Sequence, residues 1–258
     1  MAVLSRKSYL DEKSQHFDPE TGNCSIEYYL ACKDTYRVAP NDDIPVLWPY
    51  NIYKASDAGE ELFGQLEMQI QRVLESYGIT IQEISIHTLV SKGPPREPKD
   101  TIIIKTHDES NATWKNAVSE IYNEIVEPAA TSEQLQIRVE IQNENLMFKD
   151  YSHAIRDRDA LEILERAEPR IVEAVREFCG GMRYYVSIHE RGRAPRVNKK
   201  KPAAVVGIKP GSVNAWGAFE ERIIGIVESV VLPGEVDVYI DLMIGVVEEC
   251  WDFFGGRL

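Results

Sequence analysis

Residues 79–114, ITIQEISIHTLVSKGPPREPKDTIIIKTHDESNATW, and residues 181–216, GMRYYVSIHERGRAPRVNKKKPAAVVGIKPGSVNAW, decide how the fold is read. Laid over one another without a gap, at the separation of Ser85 from Ser187, they bring Ser85-Ile86-His87 onto Ser187-Ile188-His189. Lys99, Ser110 and Trp114 fall on Lys201, Ser212 and Trp216. Tryptophan occurs four times in 258 residues, so a Trp–Trp coincidence weighs more than the others. Each stretch reads as strand, polar loop, strand and helix start. Ile84 and Ile86, like Val186 and Ile188, alternate with Ser and His, the period of a half-buried strand. The second strands, Thr101-Ile102-Ile103-Ile104 and Ala203-Ala204-Val205-Val206, are apolar on both faces, which predicts a sheet interior.

The same offset holds outward from this pair. Asp57, Ala58, Glu60 and Leu62 match Asp159, Ala160, Glu162 and Leu164, and Val73, Glu75 and Gly78 match Val175, Glu177 and Gly180. Apolar residues at helical spacing predict helices over 57–77 and 158–179, each stopped by a glycine suited to the left-handed residue beyond a helix end. Second helices are expected to start near Ser110 and Ser212 as N-caps, with Trp114 and Trp216 in the first turn as core residues. Last strands follow, in which Leu135, Ile137, Val139 and Ile141, and then Val236, Val238, Ile240 and Leu242, alternate with polar or larger residues. That alternation predicts a sheet with helices on one face and an open second face.

The fold class is therefore α+β, a two-layer sandwich of tandem α-β-β-α-β units at 57–144 and 159–244 related by a pseudo-two-fold axis. About six strands and four helices are expected, with the third strand of each unit beside the first in a mixed sheet. Residues 1–56 contain Tyr28, Tyr29, Tyr36, Trp48, Tyr50 and Tyr53 together with Pro40, Pro45 and Pro49, and read as an extended arm packing on the core. Residues 145–158 are a connector, and 245–258 an aromatic tail.

Net charge is −13, with 42 acidic against 29 basic residues. This balance argues against general nucleic-acid or membrane-surface binding. The N-terminus has no apolar signal core and no segment approaches the length that spans a bilayer, so an intracellular site, cytoplasmic or nuclear, is expected. The four cysteines, Cys24, Cys32, Cys179 and Cys250, form no C-x-x-C pair and read as reduced thiols.

Chemistry is sparsely written. The five histidines include no H-x-x-x-H or H-E-x-x-H, nucleotide-loop and nucleophile-elbow patterns are missing, and neither metal nor cofactor is expected. One constellation has acid–base character: His87 with Glu140, repeated as His189 with Asp241, all pointing by alternation to the open sheet face. A second is the basic loop Arg191, Arg193, Arg196, Lys199, Lys200 and Lys201, answered in the first unit by Lys92, Arg96 and Lys99. Lys209-Pro210-Gly211-Ser212, between a strand and a helix, is a weak anion-binding turn.

A chain so poor in catalytic motifs is expected to be a binding, scaffolding or regulatory module, for instance the N-terminal part of a larger protein, acting through a protein partner or self-association. The alternatives are an enzyme using His87, His189, Glu140 and Asp241, and a binder of nucleic acid or an anionic ligand through the 191–201 loop with Lys209.

Overall fold

A computed structural model describes residues 17–42, 44–92, 97–130, 136–147, 150–193, 200–231 and 238–245. In chain order it has β1 (Cys24–Ser25), α1 (Ile26–Lys33), β2 (Arg37–Val38), β3 (Tyr50–Lys54), α2 (Asp57–Ser76), β4 (Ile81–Ser91) and β5 (Lys99–Thr106). Helix α3 (Trp114–Glu120) runs on through a π-helical stretch, Ile121–Val126, and one last α turn, Glu127–Ala129. Then come β6 (Ile137–Gln142), β7 (Asp150–His153), α4 (Arg158–Cys179), β8 (Tyr184–Arg193), β9 (Lys201–Ile208), β10 (Val213–Asn214), α5 (Trp216–Glu228) and β11 (Tyr239–Ile244). Among the described residues, no helix is long and apolar enough to cross a membrane.

The chain divides into two compact units, one of Ala31–Lys149 and one of Met1–Leu30 with Asp150–Leu258. In the 31–149 unit a five-stranded sheet has the order β2-β6-β5-β4-β3, in which only β5 and β6 are parallel. In the other unit a four-stranded sheet has the order β11-β9-β8-β7, in which only β9 and β11 are parallel. A two-stranded ribbon, β1 with β10, adds to it. The fold is thus mixed α+β, with helices on sheets.

Strand placement corrects one expectation. The third strand of each unit lies beside the second, not the first. Two physical reasons agree. The outer edges of β4 and β8 are taken by β3 and β7, drawn from segments read as arm and connector. The doubly apolar strands β5 and β9 also need a neighbour on each side, and this order places them inside.

Local signals explain the elements. Ser56 caps α2 by accepting from the Gly59 amide at 3.0 Å, and Asp157 caps α4 by accepting from Asp159 and Ala160. Gly78 and Gly180 take φ of 69° and 55°, conformations that favour glycine and stop both helices. Helices α3 and α5 begin at the tryptophans themselves, later than Ser110 and Ser212, and neither start has a side-chain cap. Both indoles are fully buried. In the 31–149 unit Trp114 packs with Ile70, Leu74, Ile102, Ile104 and Ile121 between sheet and helices. In the other, Trp216 packs with Phe219, Ile171, Val206, Ile208 and Ile223.

The second sheet face of the 31–149 unit is not open as expected. All six residues of β6 are buried. Val46, Leu89 and Ile103 form a small cluster there with Tyr50, and Arg37 reaches in from β2. Residues 17–56 therefore differ from an extended arm: they hold a helix and three strands, and supply both units. Ile26, wholly buried, binds the Ser212 carbonyl through its amide, and the Trp216 indole N–H donates to the Cys24 carbonyl at 2.8 Å.

Candidate interaction site

The edge of the five-stranded sheet is formed by β3, whose sequence Tyr50-Asn51-Ile52-Tyr53-Lys54 combines β-favouring residues with a terminal lysine. It pairs antiparallel with β4, with Ile52 opposite Leu89 and Lys54 opposite His87. The Lys92 amide donates to the Pro49 carbonyl at 2.8 Å, which fixes the ladder's parity. In an antiparallel ladder, alternate residues turn both backbone groups to the same neighbour. Asn51 and Tyr53 thus turn theirs to β4, and Tyr50, Ile52 and Lys54 turn theirs outward. Among the described strands none pairs with that outer edge.

Side chains along it are apolar and accessible. Trp48 is 48% exposed, Ile52 56% and Tyr53 54%, three of the exposed large apolar residues among the described ones. Single exposed apolar side chains are ordinary, but three within six residues beside outward-facing backbone groups are not. The Lys54 ammonium is drawn along the surface to Asp57 at 3.2 Å and Glu60 at 3.1 Å. Behind β3 the support is firm. Leu89, fully buried, packs with Val46, Ile103 and Tyr50, and the Arg37 guanidinium lies 5.4 Å from the Tyr50 ring centroid. Trp48, Tyr50 and Tyr53, expected as aromatics of an extended arm, belong instead to this edge strand and its approach. The strand signal there is short: Tyr50, Ile52 and Tyr53 are the β-favouring residues between Pro49 and the Ser56 cap.

The acid–base constellation is arranged differently from its expectation. His87 is on β4 and Glu140 on β6, with β5 between, and His189 on β8 is separated from Asp241 on β11 by β9. Two strand spacings put each histidine about 10 Å from its carboxylate's strand. An arginine holds each acid instead. Arg37 grips Glu140 through Nε at 2.6 Å and Nη2 at 2.9 Å, and also donates to the Val46 carbonyl at 3.1 Å. Burial opposes the charged guanidinium, but the Glu140 carboxylate outweighs it and raises the Arg37 pKa. Arg191 holds Asp241 at 2.6 Å and donates to Ser152 Oγ at 2.9 Å. The His189 pKa is lowered, first by burial and then by the Arg191 charge, while His153 acts the other way.

The basic loop is brought together only in part. Arg191 is buried in its ion pair, and the Lys201 ammonium lies 3.9 Å from the Tyr239 ring centroid. Lys200 is half-buried, Arg193 ends β8, and Arg196 and Lys199 lie outside the described residues. Lys209 is exposed beside a cleft of about 620 Å³ lined also by Arg183, Pro210, Gly211 and Ser212. The amide that made this turn an anion candidate is engaged internally: Gly211 N–H donates to a Glu27 carboxylate oxygen at 2.7 Å. Burial raises the Glu27 pKa, opposed by this and neighbouring hydrogen bonds.

Among the described residues, no group of three or more His, Cys, Asp or Glu is placed to hold a metal ion. No protein-family model, curated protein or solved structure matches the chain.

Proposed function

We propose that this chain is a non-catalytic binding module, and that the outer edge of β3 is where a partner polypeptide adds a strand. The observation that carries this reading is the coincidence of outward-facing backbone groups at Tyr50, Ile52 and Lys54 with the exposed side chains of Trp48, Ile52 and Tyr53. Strand addition draws affinity from main-chain hydrogen bonds and selectivity from side chains on alternate faces, and this edge offers both. The acid–base alternative has less support, because arginines occupy both carboxylates. The anionic-ligand alternative is weakened by the internal engagement of Arg191, Lys201 and the Gly211 amide.

The two units are also read as copies of one α-β-β-α-β module. Supporting this, Glu83 faces Lys105 where Tyr185 faces Gly207, and Ile103 faces Glu140 where Val205 faces Asp241, the hairpin positions keeping the offset of the sequence match. Trp48, Ile52 and Tyr53 are grouped at the β3 edge of the 31–149 unit, so the binding role is assigned to that unit.

The test is selection of extended peptides from a random library against the whole protein, repeated on Ile52→Pro. Proline removes an outward N–H and leaves the ladder to β4 with its own donors. Selected peptides should bind the parent protein and lose at least tenfold in affinity for the variant, with the melting temperature little changed. Equal binding to both proteins refutes the edge as the site.

A further inference from the structure

We infer that the strand added at this edge is β3 of a second copy of the chain, paired antiparallel about a two-fold axis at Ile52. The inference rests on the open-edge reading above and names its occupant. Parity is the first argument. Tyr50, Ile52 and Lys54 are the outward-facing positions, and the set is symmetric about Ile52. An axis there lets Ile52 exchange both backbone hydrogen bonds with the partner's Ile52, and Tyr50 with the partner's Lys54. Every outward donor and acceptor of the strand is then matched.

Charge is the second argument. Lys54 is the one ionisable group of the strand that is charged at neutral pH, and this register puts it opposite Tyr50. The two Lys54 residues then stand about 14 Å apart along the strands, beyond the screening length of about 8 Å at physiological salt. Sliding the axis toward Lys54 would face the two ammonium groups directly. The third argument is packing. Ile52 lies in register with Leu89, so a second Ile52 extends the Val46–Leu89–Ile103 cluster across the interface.

The interface is small. Half-exposed Trp48, Ile52 and Tyr53 offer on the order of 300 Å² per copy, well under a standard interface. An interface this small makes the dimer weak and transient, with dissociation anywhere from about micromolar to millimolar. A net charge of −13 on each copy adds long-range repulsion, so salt should tighten this dimer.

Sedimentation equilibrium of the whole chain, from low micromolar to near-millimolar concentration and at low and moderate salt, reads the association. The expected result is a monomer–dimer equilibrium tightened by salt and weakened at least tenfold by Ile52→Pro. In a Cys32→Ser, Cys250→Ser background, Ile52→Cys should form a disulfide dimer on mild oxidation, because directly opposed residues have Cα atoms about 5.5 Å apart. Asn51→Cys alone should not. A protein monomeric throughout that still binds selected peptides through β3 overturns the self-pairing and leaves the edge reading standing. A dimer indifferent to Ile52→Pro, with no Ile52→Cys cross-link, also overturns it. A monomer that binds no peptide overturns both.

Discussion

Replacing each of the two core tryptophans by phenylalanine should give unequal costs, although both are fully buried at the first residue of a helix. The substitution removes the same atoms at both sites, so the packing loss cancels to first order in the difference. What remains is the indole N–H. At Trp216 it donates to the Cys24 carbonyl at 2.8 Å, a bond with a net worth of about 0.5–1.5 kcal/mol. At Trp114, no acceptor among the described residues reaches Nε1. An unmet buried donor costs about 1–3 kcal/mol, which Trp114→Phe recovers. Trp216→Phe should therefore be worse than Trp114→Phe by about 1.5–4.5 kcal/mol. Urea unfolding followed by far-UV circular dichroism measures both, with each variant's shift assigned to the transition it moves. Equal costs, or a larger cost at Trp114, would refute the assignment of these two hydrogen-bond environments.

Three further outcomes are expected. Arg37→Met leaves Glu140, 1% exposed, without its counter-charge and should cost about 3–5 kcal/mol, whereas Arg37→Met with Glu140→Leu should recover most of it, as equilibrium unfolding will measure. Gly207→Ala places a Cβ 1.9 Å from Tyr185 Cε1 and should destabilise by about 1–3 kcal/mol; added to Tyr185→Ala it should cost far less, a non-additivity read in a double-mutant cycle. The folded-state pKa of His189 is depressed below its ordinary 6.5 by burial and Arg191, so the unfolded chain takes up its proton first as pH falls. Stability should then decline as pH drops below about 6.5, and His189→Gln should flatten that part of the profile, followed by thermal melts across pH 5–8.

Much of the fold was legible because periodicity records which face of an element is buried. The run from Leu62 to Leu74 marked α2, and the Ile84–Ile86 and Val186–Ile188 alternations marked β4 and β8. Lateral order was not legible from alternation, which fixes a strand's faces and not its neighbours. The doubly apolar β5 and β9 carried the missing information, since a strand apolar on both faces needs neighbours on both edges. The short strands β2, β3 and β7 were missed because two to five residues offer too little repeat to measure. The His87–Glu140 and His189–Asp241 pairing failed with the lateral order. Arginine partnership could not have been foreseen either, since Arg37 lies 103 residues from Glu140 in sequence.

Equivalent positions in the two sheets also carry different chemistry. Lys105 bridges Glu83 at 2.9 Å and Glu144 at 3.1 Å in one unit. In the other, Tyr185 lies over Gly207 and Gly245, its ring filling the space that side chains there would need. A charged network dresses one sheet, and an aromatic ring on two glycines fills the other.

Residue-resolved amide hydrogen exchange over Tyr50–Lys54, in dilute protein, tests the open edge most directly. Asn51 and Tyr53 should be protected by their bonds to β4, and Tyr50, Ile52 and Lys54 should exchange near the rate of solvated chain. Uniform protection of all five amides under those conditions would contradict the account.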